Sequence, residues 1–281
     1  MIFALAQFFK QAVIQGIPLL FGSTGEIITE KSGNLNLGIP GIMYIGGISG
    51  VIGSFFYEMY GDTSNAFLCI LVPMVSCLFG SALMGLIYSF LTITLRSNQN
   101  VTGLALTTFG IGVGNFFGGS LPKLLGQNST GISLIATGNY FKTTLPFADK
   151  LGAFGEAFLS YGFLAYLAVI VAIVTAIVLT KTRIGLNLRA VGESPATADA
   201  AGISVTNYKY IATIIGSAVA GLGGLYILPA QLHGLNSAST ELIKMLPYAV
   251  TIIVLVFTSV RKKREHQPPA SLGLHYFREE R

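Results

Sequence analysis

Long apolar runs separated by short polar intervals dominate this chain. A helix needs about 20 mostly apolar residues to cross the hydrocarbon core of a membrane. Seven intervals meet that requirement, and they cover residues 3–22, 34–56, 66–95, 100–120, 157–180, 208–232 and 242–260. The pattern therefore predicts an all-α polytopic membrane protein with about seven spans. Because glycines and polar residues interrupt 34–56 and 100–120, we expect these two spans to be discontinuous or partly re-entrant.

Residues 181–209 form the longest polar interval in the second half of the chain. We predict that this interval is a basic loop with one short helix inside it. Ser194 is suited to cap the N-terminus of that helix, Pro195 suits its first position, and Gly202 suits a left-handed turn that ends it. A short capped helix between apolar segments favours docking, and we interpret it as the contact for a separate motor protein.

The composition supports a membrane protein. Of the 281 residues, 52% are hydrophobic and 10% are charged, whereas soluble domains carry about 25% charged residues. The formal net charge is +5, and the basic residues flank the apolar runs, which is a topology signal and gives no indication of nucleic-acid binding. Cys69 and Cys77 share one apolar segment, so we expect two small buried side chains without a disulfide or a metal.

The distribution of Lys and Arg predicts the orientation. If residues 181–209 and the tail lie in the cytoplasm, residues 25–33 and 96–99 lie there too, and most of the 17 basic residues become cytoplasmic. The positive-inside rule favours this arrangement. We therefore predict a single transmembrane domain over residues 1–260 and a basic cytoplasmic tail over residues 261–281, in a multi-pass protein of the plasma membrane.

Signatures of soluble enzymes are missing from the sequence. No GxxxxGK[ST] motif occurs, so we expect this chain to bind no ATP itself, to need no cofactor and to have no enzymatic activity. The histidines have no metal-ligand spacing. Glu26 and Glu30 are placed in the turn after the first predicted span, which leaves no carboxylate clearly at mid-membrane depth. Proton- or sodium-coupled carriers usually need such a group, so we expect energy for transport to come from another subunit.

Amides and hydroxyls inside the apolar segments are the candidate functional groups. Side chains of this kind must find hydrogen-bonding partners at membrane depth. They serve either as interhelical hydrogen bonds or as the lining of a polar pathway for an uncharged solute, and the residues alone leave both interpretations open. The candidates for a translocation pathway are Asn34, Asn36, Asn98, Gln99, Asn100, Thr102, Thr107 and Asn115.

Four stretches in the same order resemble the permeases of ABC transporters. They read GSTGEIITEKSGNLNLGIPGIMYIGG, NQNVTGLALTTFGIGVGNF, TRIGLNLRAVGESPATADAAGISVTNYKYIATIIGSAVAGLGG and MLPYAVTIIVL. The family that they resemble contains the importers of sugars and branched-chain amino acids, and the branch of nucleoside importers is the most similar. The resemblance covers nearly the whole chain.

The resemblance implies an all-helical fold like that of type II importers. It implies that interval 181–209 contacts a cytoplasmic ATPase subunit, which binds the ATP, and that the asparagine-rich stretches lie near the translocation pathway. It also implies a second permease subunit and an extracellular lipoprotein receptor as partners. By this resemblance, the residues of the ATPase contact are Arg189, Glu193, Pro195, Ala198, Asp199 and Gly202.

Two features of the chain differ from the pattern of the family. Pro40 stands where many relatives have a glutamate, so no carboxylate role carries over to that position. Between the positions of Gly224 and Leu246, relatives carry several tens of additional residues with another pair of apolar segments. This chain lacks them and is shorter there.

The sequence therefore favours the permease subunit of an ATP-driven importer of nucleosides. Three alternatives remain at this point. One is an importer permease for simple sugars or branched-chain amino acids. Another is an ATP-independent carrier or channel. The last is a shortened permease that assembles with its partners but does not conduct.

Overall fold

The structure, a computed structural model, describes residues 2–124, 134–144, 152–231 and 269–276. These residues are helical with short connections, which confirms the predicted all-α class. The longer helices are α1 (Ile2–Glu30), α2 (Ile39–Tyr60), α3 (Ala66–Ser89, continued by the π-helical turn Phe90–Thr94), α4 (Gln99–Leu124), α7 (Phe163–Lys181) and α10 (Val205–Gln231). The shorter ones are α5 (Ile135–Lys142), α6 (Gly152–Phe158), α8 (Arg183–Glu193) and α9 (Pro195–Ala200).

Five helices in the described part of the chain are long and apolar enough to cross a membrane. They are the segments Gln7–Glu30, Ile39–Tyr60, Ala66–Thr94, Gln99–Gly118 and Phe163–Lys181. Helix α10 occupies the sixth predicted interval, and residues 242–260 lie outside the described residues. The total of about seven spans therefore stays a prediction.

Several predicted boundaries were wrong. Helix α1 continues eight residues beyond the predicted end at residue 22, so Glu26 and Glu30 lie in the helix and not in a turn. Helix α4 is continuous, so the predicted break within 100–120 was also wrong. The irregular backbone expected in 34–56 is present, but only before Ile39, where α2 begins. Polar residues alone do not end a helix when their side chains find partners within the bundle.

Helix α10 lies at the centre of the bundle, in contact with α1, α2 and α3. Small residues allow these backbones to approach closely. A Cβ atom added at Gly46 would lie 2.7 Å from the Cα of Gly221, and one added at Gly25 would lie less than 3.0 Å from the carbonyl oxygen of Gly216. These glycine pairs set the separation of α10 from α2 and from α1.

Interval 181–209 is more helical than predicted. It contains the amphipathic helix α8 before the predicted short helix, and Lys209 belongs to α10. Thr182 caps α8, because its hydroxyl accepts a hydrogen bond from the Gly185 N–H at 3.1 Å. The buried residues of α8, which are Gly185, Leu188, Val191 and Gly192, recur every three to four residues along one face, and this spacing predicts a helix. The basic loop of the sequence analysis was therefore wrong for residues 183–193.

The predicted short helix is confirmed as α9, which begins at Pro195. Gly202 has a φ angle of +83°, the left-handed conformation expected of it. Ser194 occupies the N-cap position, but its hydroxyl bonds the Thr197 hydroxyl at 2.8 Å and no backbone N–H. The predicted side-chain cap was therefore wrong.

The turns at 31–38 and 95–98 lie at one end of the bundle, together with α8 and α9. Because α1, α2, α3 and α4 alternate in direction, the turns at 31–38 and 95–98 lie at the same end. Helix α7 ends there, α10 starts there, and α8 and α9 lie between them. We call this end the coupling end.

Candidate functional site

The turn of residues 33–38, between α1 and α2, is the centre of the candidate site. Its backbone is neither helix nor strand, and most of its residues are buried. Irregular backbone at membrane depth is tolerated only where protein or a cavity supplies hydrogen-bonding partners. Four of the predicted pathway residues lie at this turn or bond to it: Asn34, Asn36, Gln99 and Thr107.

Side chains from α3 and α4 bond the backbone of the turn. The Oε1 atom of Gln99 accepts from the Leu35 N–H at 2.7 Å. The Tyr88 hydroxyl donates to the Leu35 carbonyl, and the Thr107 hydroxyl donates to the Leu37 carbonyl at 2.9 Å. These bonds satisfy backbone groups that would be costly to bury without partners.

The two asparagines hold the turn from within. Asn36 accepts from the Gly38 N–H through Oδ1 at 2.9 Å, while its own backbone N–H donates to Oε1 of Glu26 at 3.0 Å. The side-chain amide of Asn34 donates to the Thr213 hydroxyl on α10 at 3.1 Å. The turn is thereby tied to α1 and to the central helix.

Two polar atoms at the turn are buried and have no hydrogen-bond partner within the described residues. They are the Nδ2 atom of Asn36 and the Oε2 atom of Glu26. One is a donor, and the other accepts when ionised. Sequence reasoning missed Glu26 because α1 was predicted to end early. The small residues Gly22, Gly25 and Thr29, spaced three to four residues apart, indicated that the helix continues.

The remaining predicted pathway residues do not join the turn. Asn98 caps α4 by accepting from the Val101 N–H at 3.1 Å, and Thr102 is buried with its hydroxyl 2.9 Å from that of Ser97. Asn100 and Asn115 are exposed. Asn115 lies 16 residues along α4 from Gln99, which corresponds to about 24 Å at 1.5 Å per residue.

Helix α9 presents one buried and one open face at the coupling end. Ala198 is buried against Val191 and Val205. The open face consists of small residues, Ala196, Thr197 and Ala200, and α8 adds the exposed side chains of Ile184 and Leu186. This surface has room for another protein to contact it.

The segment 269–276 packs on the same end and was missed as a structural element by sequence reasoning. The N–H groups of Ser271 and Gly273 donate to the carbonyls of Gly192 and Gly33, each at 3.1 Å. The segment thus bonds both α8 and the start of the 33–38 turn. Its uncharged run of Ser271, Leu272 and Gly273 inside a charged tail was the available signal.

Two residues of the predicted ATPase contact form hydrogen bonds with the segment 269–276. The Oε2 atom of Glu193 accepts from the Ala270 N–H at 3.3 Å, and Oδ2 of Asp199 accepts from the Tyr276 hydroxyl at 2.8 Å. Arg189 is partly buried, and its Nε atom has no partner in the described part of the chain. All six residues of the predicted ATPase contact lie on or next to α8 and α9.

Comparisons with known proteins identify the family. Residues 8–260 match the family described as the permease component of the branched-chain amino acid transport system. A protein of Haloferax volcanii, provisionally named a glucose ABC transporter permease, is 34% identical over 209 residues, which is 74% of this chain and 58% of that protein. A nucleoside ABC transporter permease of Lactococcus lactis subsp. cremoris is 33% identical over 233 residues, which is 81% of this chain and 68% of that protein.

A guanosine ABC transporter permease of Bacillus subtilis is 29% identical over 213 residues, which is 75% of this chain and 64% of that protein. The chain thus spans about three fifths to two thirds of the length of these relatives. No solved structure matches the chain. The family match covers most of the chain, and the four stretches of the sequence analysis lie within it. The chain therefore belongs to the family of permease components of branched-chain amino acid transport systems.

Proposed function

We propose that this chain is the permease subunit of an ABC importer that moves a small polar solute inward, driven by a separate ATPase. The observation that carries the proposal is the contact between α8 and the 33–38 turn. A Cβ atom added at Gly33 would lie 3.4 Å from the Cα of Gly192, and one added at Gly192 would lie less than 3.0 Å from the carbonyl oxygen of Lys31, two residues before the turn. Backbones this close cannot move independently, so a displacement of α8 must displace the turn.

The proposed mechanism follows from that contact. An ATPase subunit binds the open surface of α8 and α9, and closure of the ATPase dimer pushes these helices. The motion is transmitted through Gly192 to the turn that carries Asn34 and Asn36, and from there to α10 through Thr213. Rocking of the bundle then exposes the pathway to each side in turn.

Nucleosides are the substrate class that we propose. Two of the three relatives described above are named as nucleoside or guanosine permeases. A nucleoside is uncharged and rich in donors and acceptors, which suits the unpartnered amide of Asn36 and carboxyl oxygen of Glu26. Simple sugars are the second candidate, because the relative from Haloferax volcanii is named for glucose.

The proposed assembly contains a second permease subunit, the ATPase and an external lipoprotein receptor in the plasma membrane, with the coupling end and the C-terminus in the cytoplasm. The assembled complex in proteoliposomes should take up radiolabelled guanosine or uridine only when ATP and the ATPase are both present. Uptake without the ATPase would indicate a carrier or channel instead. A stable complex that takes up none of the nucleosides, glucose or leucine would indicate a non-conducting subunit.

The first prediction concerns the contact with the ATPase. Glu193→Lys should lower ATP-driven uptake about tenfold, the effect of roughly 1.4 kcal/mol, while the chain still inserts into the membrane. The residue is exposed, and its side chain makes one hydrogen bond, of 3.3 Å, within the described residues, so the charge reversal should act mainly on the partner contact. Gly202→Pro should act in the same direction, because proline fixes φ near −65° and Gly202 has a φ of +83°.

The matched control is Asp62→Lys, the same change of charge at the opposite end of the bundle. Asp62 lies in the exposed α2–α3 connection, and among the described residues its carboxylate accepts only from the nearby Ser64 N–H. Uptake by this variant should match uptake by the wild type. The rate of ATP hydrolysis is measured in the same vesicles. Equal uptake by Glu193→Lys and Asp62→Lys would contradict the role of α8 and α9.

A further inference from the structure

A polar cleft with a volume of about 70 Å³ lies at the coupling end, next to the candidate turn. Its walls come from the end of α3, the start of α4, the start of α10 and the segment 269–276. The polar side chains that line it include those of Arg96, Gln99, Lys209 and His275. Asn34 and Gln99, two of the predicted pathway residues, also line the cleft, but the proposed transport function assigns no role to Arg96 or Lys209.

Lys209 is a residue of the cleft whose charge has no partner within the described residues. Only 3% of its surface is exposed, and none of the described residues provides its ammonium group with a hydrogen bond or an ion pair. A buried charge without a partner is strongly unfavourable, and proteins retain one where it is paired or binds a ligand. Lys209 is one of the residues that line the cleft, so an anion bound there would supply the missing partner.

The other polar groups of the cleft also suit an anion. Arg96 adds a second positive charge, and the side chain of Gln99 has used its oxygen for the Leu35 N–H, which leaves its amide donors. His275 adds a ring that donates from at least one nitrogen. No carboxylate is among the described residues that line the cleft.

The number and type of these groups select the anion. A guanidinium, an ammonium and an amide together offer more donors than a single carboxylate can accept, whereas a phosphate group has three or more acceptor oxygens. Exposed Leu95, next to Arg96, and exposed Leu274, in the wall of the cleft, provide apolar surface beside the charges.

We infer that the cleft binds a phosphate group, either of free phosphate or of an anionic phospholipid headgroup, through Lys209 and Arg96. In this role, the ligand bridges α10, the α3–α4 connection and the segment 269–276, and so holds the coupling end together. The inference does not rest on the proposed solute or on the ATPase.

The test uses the purified full chain and measures its thermal unfolding. One arm titrates inorganic phosphate in detergent against chloride at equal ionic strength. The other compares nanodiscs of phosphatidylglycerol with nanodiscs of phosphatidylcholine. The wild type should show a higher Tm in at least one arm. Lys209→Met should reduce this increase in Tm at least about tenfold, because a hydrogen bond to a charged group is lost.

Lys181→Met is the matched control, because Lys181 is an exposed cation at the end of α7 and lies outside the cleft. It should keep the full response. A higher Tm in the phosphate arm alone identifies the ligand as free phosphate. A higher Tm in the lipid arm alone identifies it as a phospholipid headgroup. If Lys209→Met does not fold, Arg96→Gln is measured in its place, with the same loss expected.

A wild type whose Tm is the same with phosphate, chloride and both lipids would overturn the inference. So would a Lys209→Met variant that responds like the wild type. Higher stability of Lys209→Met in every condition, with no response of the wild type, would show that Lys209 is an unpaired charge without a ligand.

Discussion

Gly25→Ala is expected to destabilise the bundle strongly. The added Cβ would lie less than 3.0 Å from the carbonyl oxygen of Gly216, and it would also crowd Ala220. The obstacle is backbone, so no side chain can move aside, and α1 would have to separate from α10. Overpacking of this kind costs about 3 kcal/mol or more. Thermal unfolding and the yield of monodisperse protein measure the loss.

The control for this prediction lies on the same helix. Gly16 has no atom within 4 Å of an added Cβ, so Gly16→Ala has room. Alanine is a better helix former than glycine, so this variant should be as stable as the wild type or more stable by up to about 1 kcal/mol. Equal stability of the two variants would show that α1 and α10 do not cross as closely as described.

Gln99→Met is expected to destabilise the chain by about 1–3 kcal/mol, because it leaves the partly buried Leu35 N–H without its acceptor. Gln99→Glu retains an oxygen at the same position and should recover most of that loss. Asn100→Ala changes the exposed neighbour and should alter stability by no more than about 0.5 kcal/mol. Chemical or thermal unfolding of the three variants provides the measurement.

This series also separates the two interpretations of the buried amides. If Gln99 holds the 33–38 turn, Gln99→Met loses stability and uptake together, and Gln99→Glu recovers both. If Gln99 contacts only the solute, Gln99→Met loses uptake while its unfolding temperature stays that of the wild type. The second result would contradict a structural role for the bond to Leu35.

Local patterns were sufficient for the helical class and for α9. Apolar length alone indicated the helices around residues 39–60, 66–94 and 163–181, because the cost of burying polar groups in lipid acts on each segment separately. Pro195 and Gly202 similarly indicated both limits of α9, because proline and glycine restrict or permit particular backbone angles.

Local patterns failed where a polar residue finds a distant partner. Glu26 appeared to end the first span, but the Asn36 N–H bonds it and the helix continues. The polar residues of 100–120 suggested a break, yet α4 is continuous, and the Thr107 hydroxyl donates to the Leu37 carbonyl. In both cases the partner lies beyond the end of the helix that carries the polar residue, ten residues away for Glu26 and 70 for Thr107, so helical periodicity does not reveal it.

The sequence by itself determined which segments are apolar enough to cross a membrane, where α9 begins and which family the chain resembles. Those properties depend on residue type and on short-range spacing. Only the tertiary structure decided which polar groups meet. Gln99 reaches Leu35 across 64 residues and Asn34 reaches Thr213 across 179, and folding alone brings such groups within hydrogen-bonding distance. The same holds for the buried Lys209 and for the segment 269–276 on α8.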